Sequence, residues 1–184
     1  MSRLIGAAAC LTFSLCSVSL FAQESKSSDA KAISEHLKPF APLLGKTYRG
    51  VFKNSTPDKP MIDVSRWERA MNGNAVRILH SLNDGMYGGE SILIWDTEKK
   101  KLACWYFTTA GFRTEGIVEL DGDRKWIITE KVIGASNVSE VRSVSELTPD
   151  GKLSIRAEFF ENGKWEVKRE TVYEESPGSE VKFK

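Results

Sequence analysis

The chain is short of the residues that most catalytic and metal chemistry needs. It holds three cysteines and two histidines in 184 residues. Cys10 and Cys16 fall in an N-terminal apolar run, so Cys104 stands alone in the rest of the chain and no disulfide can form within it. Cys104 alternates with Leu102 and Tyr106 in an apolar stretch, the pattern of an inert buried thiol rather than a nucleophile. A zinc site takes about three or four protein ligands, and His36 and His80 cannot supply them. No phosphate-binding glycine loop, Cys-x-x-Cys pair, Ser-His-Asp order or paired-carboxylate signature occurs, so neither a cofactor nor a metal is expected. Charge of one sign is also missing: 26 basic residues face 25 acidic ones, which leaves no basic field to hold phosphates and excludes nucleic acid as a partner.

A single long apolar run, Leu4 to Phe21, lies behind Arg3 and ends at the small residue Ala22, before polar Gln23. This reads as a cleavable secretory signal over residues 1–22. The competing reading is a retained membrane anchor, but Thr12, Ser14, Ser17 and Ser19 interrupt the run. Leu15 before Cys16 argues against a lipoprotein. Export to the periplasm or outside the cell is therefore expected, with no stable membrane insertion once the signal is gone. Removing it takes away Arg3 and balances the formal charge, and the remaining 162 residues (184 less 22) suffice for one domain burying roughly 70% of its unfolded surface. Residues 23–29 form a polar leader expected to be disordered, residues 30–176 the domain, and 177–184 a tail.

Ser28 or Asp29 can cap a helix whose apolar positions Ile33, Leu37, Phe40 and Leu44 recur at helical spacing. Pro39 and Pro42 should break it into two pieces, and Gly45 should end it. From Lys46 onward, ten apolar or alternating runs predict strands over 46–53, 61–71, 75–83, 86–95, 101–109, 112–120, 124–133, 138–148, 152–161 and 164–175. Asp84-Gly85, Asp121-Gly122 and Asn162-Gly163 are hairpin turns. Every link but Asn54 to Pro60 is short, so neighbours in sequence become antiparallel neighbours in space. An open meander of ten strands would leave two long edges unpaired, and closure removes both. The expected fold is all-β: a ten-stranded antiparallel up-and-down barrel with a short N-terminal helix.

The run Pro42-Leu43-Leu44-Gly45-Lys46-Thr47-Tyr48-Arg49-Gly50 resembles the opening motif of lipocalin-like (calycin-type) barrels, with Tyr48 where those proteins usually carry Trp. Gly88-Gly89-Glu90 through Ile94-Trp95-Asp96, a Lys-rich turn, Leu102 and Trp105-Tyr106-Phe107 are similar to a family of secreted bacterial lipocalin-like proteins. The likeness covers about residues 42–175 and implies a barrel. The same opening occurs in nitrobindin-like haem barrels, whose haem-ligating histidine lies near the C-terminal end. The last strand here has none, so that haem role is not carried over.

Period-two counting puts Trp165, Val167, Arg169, Thr171 and Tyr173 on one face of the last strand, the more apolar one. An inward Arg169 needs a carboxylate, since an uncompensated buried charge costs several kcal/mol. The arrangement is similar to fatty-acid-binding proteins, in which an Arg-x-Tyr pair on the last strand holds the ligand carboxylate, although the spacing here is Arg-x-Thr-x-Tyr. The alternative partners are Glu130 or Glu140, or water at the rim. His80 shares a face with Val76, Ile78 and Leu82 and points at the interior, either as a hydrogen-bonded core histidine or as a general base. Glu90 is either a pocket carboxylate, the partner of Arg169, or a solvated residue.

These readings favour a binding module for a small apolar or amphipathic molecule, carboxylate-bearing ligands included, with Arg169, Thr171, Tyr173, His80, Trp165 and Glu90 as candidate ligand-binding residues and none as catalytic. The alternatives are a packed barrel serving as a protein-interaction scaffold, and a barrel enzyme using His80 with Glu90 or Arg169.

Overall fold

The computed structural model describes residues 32–135 and 137–184. The expected signal, leader and helix cap at Ser28 or Asp29 lie outside the described residues.

Ten strands follow one another: β1 (Thr47–Phe52), β2 (Ile62–Ala70), β3 (Ala75–Leu82), β4 (Tyr87–Asp96), β5 (Lys101–Thr108), β6 (Arg113–Leu120), β7 (Lys125–Ile133), β8 (Val138–Leu147), β9 (Leu153–Glu161) and β10 (Lys164–Glu175). Each pairs antiparallel with its sequence neighbours, and β1 also pairs with β10, so the sheet closes on itself as a barrel. Turn chemistry sets the register. At Asn162-Gly163 both residues take positive φ, 51° and 78°, the geometry that returns a strand on its right-twisted neighbour in a two-residue link.

The N-terminal helix is there but differs from the expected one. It is a single 3-10 helix over Glu35–Leu43 that runs through Pro39 and Pro42 unbroken. Three residues per turn place Leu37, Phe40 and Leu43 in one line, and all three are fully buried. Neither proline is on that buried line, and the ring's fixed φ of about −65° suits this short helix. The helix closes the barrel end from which β1 starts. Phe40 packs against Trp126 and Trp67 at ring-centroid distances of 5.3 and 6.3 Å, and these aromatics with Leu93, Leu147 and Leu153 form the core of that end.

Two register shifts correct the reading of the last strand. Val167 pairs with Glu158 but Arg169 pairs with Ala157, so Lys168 is an extra residue and a bulge. A bulge inverts the alternation, and it leaves Trp165 and Val167 on the outer face while Arg169, Thr171 and Tyr173 stay on the inner one. A second shift between Val138 and Glu140 makes Ser139 the extra residue of β8. Both bulges lie in the half of the barrel away from the 3-10 helix.

The C-terminal tail runs along the outside. The Lys182 amide donates to Ser81 Oγ at 3.0 Å, Lys182 Nζ meets Asp84 at 2.9 Å, and Phe183 lies over Gly88. Among the described residues no helix is long and apolar enough to cross a membrane.

Candidate functional site

The barrel encloses a cavity of about 560 Å³. Position along the strands divides its wall into two halves. Nearer the helix it is mainly apolar, with Trp67, Leu93, Trp126 and Ile155 beside Ser65 and Ser145. Towards the far end it carries Asp63, His80, Tyr87, Tyr106, Glu130 and Arg169.

Asp63 on β2 is buried and accepts two hydrogen bonds: His80 Nδ1 reaches Oδ1 at 2.9 Å and the Tyr173 hydroxyl donates to Oδ2 at 2.8 Å. The other ring nitrogen of His80 meets the Tyr106 hydroxyl at 2.7 Å, and Tyr106 in turn donates to Tyr87 at 3.0 Å. Four strands, β2 to β5, thus supply one continuous chain Asp63–His80–Tyr106–Tyr87, anchored from β10 by Tyr173. Burial pushes the Tyr106 and Tyr173 phenols well above the usual range, and Tyr87 moves the same way, so all three stay protonated as neutral hydroxyls.

The second polar group centres on Glu130 of β7. Its carboxyl accepts from the Thr114 hydroxyl, with the Cys104 thiol 3.9 Å away. Burial raises its pKa, against the lowering influence of Thr114 and Arg169. Cys104 is inert as expected: burial, with Glu130 beside it, pushes its thiol far up.

Arg169 forms no salt bridge of 4.0 Å or less among the described residues, and its Nε is buried without a hydrogen-bond partner. Its guanidinium carbon lies 5.9 Å from the Phe52 ring centroid. Burial works against its charge, but the surrounding groups, the Asp63 and Glu130 carboxyls among them, outweigh that and raise its pKa above the ordinary value. A buried donor left unmatched costs about 1–3 kcal/mol, more when charged. The fold therefore holds a cation in the polar half of the cavity, near carboxylates but, among the described residues, in a salt bridge with none.

Glycines on the inner face make this crowding possible. A Cβ on Gly89 would stand 2.5 Å from the Tyr106 ring, one on Gly50 would stand 2.8 Å from Tyr173, and one on Gly116 would press on the backbone of Thr129 and Glu130.

Of the six candidate residues, the structure brings three to the cavity wall: His80, Arg169 and Tyr173. Thr171 faces inward beside Gly50, buried, with its hydroxyl unpartnered. Trp165 is displaced to the outer face by the Lys168 bulge, where it packs on Phe160 and under Arg142. Glu90 is also outside, held by the Arg77 guanidinium at 2.9 Å, so it partners neither Arg169 nor His80. Asp63 was missed altogether. Its own face, with Ser65 and Trp67, looked no more apolar than the opposite one with Ile62, Val64, Arg66 and Glu68. Nothing in sequence marks the Tyr106 hydroxyl as one that will meet a histidine 26 residues away, or the Tyr87 hydroxyl as one that will meet Tyr106, 19 residues away.

Fold and cavity together define a closed ten-stranded antiparallel β-barrel with a polar-headed, apolar-floored interior. No protein-family model matches the chain and no curated protein matches it in sequence. Among solved structures it is similar to the crystal structure of Rv2717c from M. tuberculosis, with a TM-score of 0.55 and 14% sequence identity over 78% of this chain and 99% of that one. At that identity the likeness is one of fold.

Proposed function

We propose that this protein is an exported barrel that binds a small amphipathic molecule bearing a carboxylate, with the apolar part against Trp67, Leu93, Trp126 and Ile155 and the acid on Arg169. One observation carries the reading: Arg169, with its Nε buried and unpartnered and no salt bridge among the described residues, faces a cavity whose helix-side wall is mainly apolar. Its volume of about 560 Å³ lies within the roughly 300–1,000 Å³ of small-molecule pockets. Export rests on the signal-like residues 1–22.

Calorimetry with dodecanoate and dodecanol tests the binding step. Dodecanoate should bind more tightly, and Arg169→Gln should remove that preference and weaken dodecanoate by about 2–5 kcal/mol, the usual effect of truncating one partner of a buried charge pair. Arg169→Lys, which keeps the charge, should retain part of it. Equal affinity for acid and alcohol, or none for either, would overturn the reading.

A further inference from the structure

Arg169 has an opposite number in the same chamber. We propose that the polar half of the cavity takes a zwitterionic head, so that the ligand is an amphipathic amino acid whose carboxylate meets Arg169 and whose ammonium meets Glu130. The proposal rests on the binding reading above and adds a second charged contact to it.

Register places the two groups. Arg169 of β10 pairs with Ala157 of β9, Ala157 with Ser143 of β8, and Ser143 with Ile128 of β7, while Glu130 lies two residues along β7 from Ile128 on the same inner face. All five line the cavity, so the wall between the two charges carries a methyl and a hydroxyl but no ion. No salt bridge of 4.0 Å or less joins Arg169 to Glu130, yet each charge favours the ionised form of the other. Opposite charges in a protein interior attract strongly, and a gap left open between them is room for a group that carries both signs in the reverse order.

The Glu130 carboxyl is engaged on one side only. Thr114 and Cys104 both turn to Oε1, and Oε2 has no hydrogen-bond partner among the described residues. Nor is Oε2 among the unpartnered polar atoms sealed off by their neighbours, so it opens on the cavity. Asp63 differs, because His80 and Tyr173 occupy both of its oxygens. Of the two carboxyls that line the cavity, Glu130 is the one with an oxygen to offer.

A plain carboxylate answers half of this arrangement. It pairs with Arg169 but leaves Oε2 unmet and sets a further anion near Asp63 and Glu130. A 2-amino acid answers both halves, since an ammonium only donates and an ionised carboxylate only accepts. The arriving positive charge offsets the burial that raises the Glu130 pKa, so the carboxyl gives its proton to solvent as the pair forms.

The test is calorimetry at neutral pH with dodecanoate and 2-aminododecanoate, which differ only in the amino group. The amino acid should bind about tenfold more tightly, the low end of what close charge pairs contribute. Glu130→Gln, which removes the charge and keeps the shape, should bring the ratio to one or below. Glu115→Gln, which removes an exposed carboxylate from the neighbouring strand, should leave the native ratio. If dodecanoate binds but the amino group adds nothing, or its advantage survives in Glu130→Gln, the zwitterion site is overturned and the binding reading stands. If neither compound binds, both fall. Carbon-13 NMR reads the contact on the native protein alone, under mildly acidic conditions in which the empty barrel holds Glu130 protonated. The Glu130 carboxyl should ionise when 2-aminododecanoate enters and stay protonated with dodecanoate, and the same response to both would overturn the proposal.

Discussion

At the scale of single residues, the interior depends on side chains that are absent as much as on those present. A Cβ on Gly89 would press first on the Phe107 carbonyl oxygen and then on the Tyr106 ring, so Gly89→Ala should push both aside, lower stability by about 1–3 kcal/mol as overpacked positions do, and break the His80–Tyr106 contact. Urea unfolding reads the first effect and the His80 nitrogen-15 shifts the second. Glu130 gives a pH signature. Its folded pKa is raised above the ordinary 4.5, so the folded state holds a proton that the unfolded chain has released. Stability relative to Glu130→Gln should thus fall as pH rises from about 4.5 through the raised value and stay flat above it. Thermal melts of both proteins across that range check this, and a difference independent of pH would contradict it. Arg169, Tyr173 and His80 were legible from period-two alternation because each interrupts an apolar face. Asp63 was not, since its strand is amphipathic in neither register.

At the scale of elements, the helical cap shows what a pattern can and cannot convey. The apolar residues were recognised, but a spacing of three or four fits an α-helix and a 3-10 helix alike, and the observed i, i+3 line of Leu37, Phe40 and Leu43 is the 3-10 choice that two prolines tolerate. Phe40 is its keystone. Phe40→Ala should cost about 3–5 kcal/mol, because it removes a fully buried ring from between two tryptophans. A denaturation midpoint shifted by much less would mean that Trp67 and Trp126 collapse into the gap. The strands were legible almost to the residue because turn residues punctuate them, yet the Lys168 bulge was not. Val167-Lys168-Arg169 continues the alternation smoothly, and only the pairing with β9 shows that one residue is surplus. That single surplus residue moved Trp165 from the inner to the outer face.

At the scale of the whole molecule, closure was the most secure inference, since short links force neighbours together and only a barrel leaves no edge. The outside is laced with ion pairs such as Lys152–Glu174, Lys53–Glu170 and Lys46–Glu175, exposed enough that each contributes little. What no strand pattern could convey is the division of the interior, with aromatics stacked beneath the helix and hydroxyls, carboxylates and Arg169 gathered beyond them. That division has a kinetic meaning. With one end stoppered by Phe40, a ligand of the proposed kind travels the same corridor in both directions, tail leading inward and head leading outward. Its arrival rate is then governed by how readily the aromatic floor sheds water, and its residence time by how long Arg169 keeps hold of the head.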